Sequence, residues 1–71
     1  MDVQVITVAY EGAGSSSYYV IPEERSDEIF HPSDLNSFDG VIERFITIAG
    51  YTDWMQENTD VNVASYWETV I

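Results

Sequence analysis

The stretch "VQVITVAY" (residues 3–10) decides how the rest of the chain is read. It is rich in β-branched residues and free of glycine and proline, a composition that fits a pleated strand. Val3, Val5 and Thr7 alternate with Gln4, Ile6 and Val8, so apolar side chains fall on both faces. A strand with one wet face would keep its apolar residues on the other. This one is therefore expected to be covered on both sides, by a helix and by a second chain. "EGAGSSS" (11–17) follows as turn material, and "YYVIP" (18–22) as the return strand. Pro22 closes that strand because proline cannot donate to a ladder. The first 22 residues read as a β-hairpin.

Working outward, "IPEERSDEIFHPSDLNSFDG" (21–40) reads as an acidic loop punctuated by Pro22 and Pro32. "SDLNSFDGVIERFITIAG" (33–50) carries helical signals. Ser33 or Ser37 can cap the start, and Asp34 and Asp39 suit the positive end of a helix dipole. Phe38, Ile42, Phe45, Ile46 and Ala49 recur at three- and four-residue spacing as one apolar stripe. Gly50 is placed to stop the helix. This predicts a main helix over residues 34–49. "TDWMQEN" (52–58) reads as a short second helix opened by Thr52. In "VNVASYWETVI" (61–71), Val61, Val63, Trp67 and Ile71 would share one face of a strand, while Val63, Trp67, Val70 and Ile71 also fit a helical stripe. The β-branched and aromatic content favours a strand. The expected fold class is α+β: an N-terminal hairpin and a third, C-terminal strand, packed by one main and one short helix.

Seventy-one residues make a single domain, 1–71, near the lower limit for folding on one core. There is no cysteine, so disulfides and thiolate metal sites are excluded. Met1-Asp2 opens without the basic region of a signal peptide, and no apolar run approaches the ~20 residues of a membrane span. The expectation is a cytoplasmic protein. Thirteen Asp and Glu face two arginines and no lysine, for a net charge of −11. Acidic chains poor in aromatics are usually disordered, but this one is 45% hydrophobic with ten aromatic residues, so a packed core is expected. Such charge works against any compact state. Its retention points to a role other than stability.

Candidate chemistry is sparse. "DLNSFDGVIE" (34–43) invites a calcium-loop reading, yet counting from Asp34 puts Phe38 at position 5, Asp39 at 6 and Phe45 at 12, where ligand, glycine and glutamate are required. "GAGSSS" (12–17) lacks the helix and the basic residue of a phosphate loop. His31 is the only histidine, and a serine–histidine–acid arrangement has neither a nucleophile elbow nor room for a cleft. Paired carboxylates for glycoside cleavage lack room as well. No catalytic role, cofactor or metal is expected. Trp54, Tyr66 and Trp67 are large for so small a core, and Tyr18, Tyr19, Trp54 and Trp67 are candidates for an apolar interface.

The charge itself is the functional clue. Arg25 and Arg44 cannot supply the cationic surface that direct nucleic-acid binding needs. An acidic protein can instead occupy the site where a basic protein holds DNA. Duplex DNA carries a charge per ~1.7 Å of axis, on the order of 100 Å² of surface each. A chain of this mass exposes roughly 4,500 Å², so an even spread gives only about 400 Å² per net charge. The acids must be concentrated, and Glu23, Glu24, Asp27, Glu28, Asp34 and Asp39 begin to do so as a phosphate-mimicking strip. In size, acidity, lysine depletion and α+β reading, the chain resembles the small acidic DNA-mimic proteins of bacteriophages. That resemblance implies a partner among basic DNA-binding host proteins: a nucleoid protein of the HU type, a restriction enzyme or a CRISPR effector. It carries over no functional residue. A homodimer is expected as well, because two-sided strands and surplus aromatics leave surface for a second copy to cover. An acidic adaptor or antitoxin acting on a basic partner, and a structural domain from a halophile, are the alternatives.

Overall fold

The computed structural model describes residues 1–12 and 14–71. β1 (Asp2–Ala9) is an inner strand of a four-stranded sheet, as its two-faced apolar pattern requires. β2 (Ser16–Pro22) returns antiparallel beside it, with Val5 opposite Val20 and Ile6 opposite Tyr19. The turn between them holds Gly12 and Gly14 at φ of 80° and 67°, a left-handed backbone open to glycine at little cost. Ala13, within the expected turn, lies outside the described residues. β3 (Glu43–Phe45) pairs antiparallel with β2, and β4 (Asn62–Val70) pairs parallel with β1. The sheet order is β3-β2-β1-β4. Among the described residues one α-helix forms, α1 (Ile48–Glu57), and it connects the two edge strands.

The core has two halves, one on each face of the sheet. Val3, Val5 and Val20 are fully buried on the helix side, where Ile42, Phe45, Tyr51, Trp54, Val61 and Val63 pack over them. Ile6, Val8, Tyr19 and Ile21 are buried on the other side beneath Ile29 and Leu35, with Phe38, Val41 and Trp67 at the margin. Each fully buried Val or Ile stabilises the fold by about 1.5–3 kcal/mol. Both faces of β1 are thus covered from within the chain. The acidic segment fills the place for which the sequence suggested a second chain.

The helix expected over residues 34–49 does not form. Pro32–Asn36 make a 3-10 turn, Glu43–Phe45 a strand, and α1 begins only at Ile48. The sequence spacing was coincidental, and tertiary demands override it. At Gly40 the chain passes so close to its neighbours that a Cβ would sit 2.6 Å from Phe38 Cζ and 2.7 Å from Arg25 Nη1. Beyond it, Glu43, Arg44 and Phe45 pair with Val20, Tyr19 and Tyr18. The supposed stripe is divided: Phe38 joins the loop-side core, Ile42 and Phe45 the helix side, and Ile46 is 67% exposed.

Thr47, rather than Ser33, Ser37 or Thr52, caps a helix: its Oγ1 accepts a hydrogen bond from the Gly50 N–H at 3.1 Å. Gly50 therefore lies in the first turn of α1 and does not terminate a helix. At the other end, the backbone and side-chain N–H groups of Asn58 both donate to the Trp54 carbonyl, at 3.0 and 2.7 Å. Most of "TDWMQEN" falls inside this same helix, so the expected short helix forms as the greater part of α1 and the expected main helix is absent. The α+β class stands, with one strand more and one α-helix fewer than expected.

The tail is a strand, but its expected face is wrong. Val3 aligns with Val63 and Gln4 with Ser65, so Ala64 is an extra residue. Such a bulge reverses the side-chain alternation. Val61 and Val63 accordingly face the helix, while Trp67 packs on the opposite core. Among the described residues no helix is long and apolar enough to cross a membrane.

Candidate functional site

The acidic segment is folded, not loose. After Pro22 the chain enters a 3-10 turn over Glu23–Glu28, and a second follows at Pro32–Asn36. Ile29 and Leu35 are buried against Ile6, Val8, Tyr19 and Ile21 and act as apolar pegs. With these residues directed into the core, most of the flanking carboxylates are left outside. Glu24, Asp27, Glu28 and Asp39 are exposed, whereas Glu23 and Asp34 are half-buried.

Four of the six carboxylates predicted as the site are held by specific bonds. Arg25 donates from Nε and Nη2 to the two Glu28 oxygens at 2.7 and 3.0 Å, and from Nη2 to Asp39 Oδ1 at 2.8 Å. Its guanidinium also lies over the Phe38 ring, 4.6 Å from the centroid. The Arg25 hydrogen bonds hold both carboxyls below their ordinary range, and those carboxylates raise the arginine's own pKa. One cation between two anions leaves this cluster net negative. Exposed ion pairs of this kind add little stability; their effect is to fix where the charges stand. Asp34 Oδ2 accepts from the Phe30 N–H at 2.9 Å and the His31 N–H at 3.0 Å, and these two bonds, Phe30 first, lower its pKa. Glu23 Oε2 accepts from the Ser65 hydroxyl on β4 at 2.7 Å. The carboxylates of Glu24 and Asp27 make no hydrogen bond or ion pair among the described residues.

Where the segment leaves the sheet, Met1, Asp2, Pro22, Glu23 and Glu24 line an open cleft of about 510 Å³. Its wall carries the carboxylates of Asp2, Glu23 and Glu24 beside the Met1 ammonium; Asp2 Oδ1 accepts from Asn62 Nδ2 at 3.2 Å, and Glu23 is held by Ser65. Further along the segment, Phe30 is 75% exposed, with its backbone N–H bonded to Asp34. Sequence reasoning missed Phe30, although the pairing of a buried Ile29 with an outward neighbour follows ordinary extended alternation.

The four aromatics predicted for an apolar interface are all engaged in the fold. Tyr19 is buried, and its hydroxyl accepts from Arg44 Nε at 3.2 Å. Tyr18 stacks on Tyr51 with centroids 6.0 Å apart and planes within 7°. Trp54 packs on Phe45, and Trp67 against the loop-side core. Among the described residues, no group of three or more His, Cys, Asp or Glu side chains is placed to hold a metal ion. Neither a family model, nor a curated protein, nor a solved structure matches this chain.

Proposed function

We propose that the chain is an acidic DNA mimic that binds the DNA-contacting surface of a basic protein, a nucleoid protein of the HU type in the first instance, and blocks its DNA binding. The observation that supports this reading is the pegged acidic segment: six carboxylates and one arginine within residues 23–39, most of them bonded in place. Over the whole surface of 4479 Å², eleven net charges give about 400 Å² each, far more dilute than DNA. Local concentration is therefore needed. Carboxylates already fixed before binding lose little conformational freedom when they meet lysines and arginines. Phe30, exposed among them, adds an apolar contact that DNA does not offer.

The test is a gel-shift competition in which an HU-type protein on labelled DNA is challenged with the chain. Glu24→Gln with Asp27→Asn removes two carboxylates that hold nothing in the fold. The variant should displace DNA at least tenfold less well while melting like wild type. Displacement by wild type should weaken with added salt, though less steeply than DNA binding does, because a compact protein condenses fewer counterions. Equal displacement by both proteins would refute the mimic and favour an adaptor; no displacement by wild type would remove the HU-type partner.

A further inference from the structure

β4 is an edge strand with its outer side open. Ile71, one residue beyond it, donates its N–H to the Ala9 carbonyl at 2.8 Å and accepts from the Glu11 N–H at 2.6 Å. Both its backbone groups therefore face β1. In a parallel ladder this orientation alternates. Thr69, Trp67 and Ser65 face inward likewise, while Val70, Glu68 and Tyr66 present N–H and C=O groups to the open side. Edge strands are commonly protected by shortness, charged side chains (lysine above all), proline or a bulge, and Glu68 is the one charge on β4. β3, at the other edge, has three residues; β4 has nine, with no lysine or proline, and its bulge lies at Ala64, leaving residues 65–70 regular. Tyr66 and Val70 are 47% and 70% exposed, with the Tyr66 hydroxyl accepting from Thr7 Oγ1 on β1 at 2.8 Å.

Charge decides what can pair there. Glu68 lies on the strand, Asp60 precedes it, Glu11 is bonded at its far end, and Glu23 is bonded to Ser65. Neither arginine is on β4 or β1: Arg44 belongs to β3 at the opposite edge, and Arg25 is held between Glu28 and Asp39. The Met1 ammonium sits on the Asp60 carbonyl at the strand's start. A second copy would bring the same carboxylates to the seam, while a lysine- or arginine-bearing strand would meet them with opposite charge. We propose that the open edge of β4 receives an extended basic segment of a partner protein as a fifth strand. The proposal rests on the reading that the partner is basic; the Glu23–Ser65 bond places this edge beside the acidic segment.

The experiment uses an acetylated nine-residue peptide alternating lysine with valine and threonine, against the same peptide N-methylated at alternate backbone nitrogens. Amide exchange is followed by NMR on the labelled chain. The amides of Tyr66, Glu68 and Val70 should exchange fast in the free chain and slow at least tenfold with saturating peptide. The methylated peptide, equal in charge, should bind at least tenfold more weakly. Glu68→Pro removes an outward donor and should weaken binding well beyond Glu68→Gln, which removes only the charge. If the proline variant fails to fold, the two peptides on wild type still decide. Binding without protection of those three amides, or equal binding of both peptides, overturns the proposal. So does slow, concentration-dependent exchange there in the chain alone, which would make a second copy the occupant. No DNA or host protein enters this assay, so its failure leaves the DNA-competition result standing, and the converse.

Discussion

Phe45 and Ile46 are neighbours in sequence, and the fold requires them to respond oppositely to truncation. A helix over 34–49 would bury both on one stripe. Here Phe45 packs over the Val3/Val5/Val20 core, edge-on to Tyr51 at 6.2 Å and tilted against Trp54 at 6.1 Å, whereas Ile46 is 67% exposed. A fully buried Phe→Ala change costs about 3–5 kcal/mol. Phe45 is only half-buried, which lowers the transfer part, but the lost ring pairs return about 0.5–1.5 kcal/mol. Phe45→Ala should therefore cost about 2–3 kcal/mol. At roughly 0.05–0.15 kcal/mol per residue, a chain of 71 residues has a total stability of about 4–10 kcal/mol. The loss is a large share of that, equivalent to a Tm drop of roughly 10–20 °C at this size. Ile46→Ala should stay within about 0.5 kcal/mol of wild type. Urea titrations of the three proteins, read by tryptophan fluorescence and far-UV circular dichroism, measure both. Equal losses from the two variants would refute the placement of β3 and α1.

Thr47→Ala removes the acceptor for the Gly50 N–H and should cost about 1 kcal/mol, read as a lower urea midpoint, with Thr47→Ser restoring most of it. Gly40→Ala forces Phe38 or Arg25 aside and should cost about 1–3 kcal/mol; an unchanged melting curve would show that the close approach is not rigid. Asp34 has a folded pKa below its unfolded one, so its contribution is complete above the ordinary carboxylate range and is lost as pH falls through the depressed value. The stability gap between wild type and Asp34→Asn should consequently be full at pH 6 and shrink towards pH 2; a gap constant over that range would discount the two backbone bonds.

The hairpin and the two-faced central strand were legible because they rest on local pattern, and Val3 to Val8 carry it in full. β4 was legible from its β-branched and aromatic residues. Glu43–Phe45 was not, since three residues make no period, and the strand exists through pairing with β2. The spacing of Phe38, Ile42, Phe45 and Ile46 imitates a helix because three- and four-residue intervals also arise where a chain passes from one face of a sheet to the other. Within the acidic segment, sequence showed where the charges gather. It did not show which are tied, because Arg25 reaches Asp39 over fourteen residues and Glu23 reaches Ser65 over forty-two. Phe30 escaped notice because exposure, not residue type, is what distinguishes it.

The parallel pairing of Asp2 with Asn62, and of Ala9 with Val70, has a consequence for how the chain acquires its shape. Loop closure over some sixty residues must be met before that ladder contributes any stabilisation, which slows folding relative to helical proteins of this size. During synthesis the hairpin emerges before β4, with one flank of β1 unpaired until residues 62–70 arrive. A nascent chain in that condition carries an open, strongly β-prone strand, a state prone to misassociation. Its dense negative charge then has a second use, since like-charged unfinished chains repel one another while they wait.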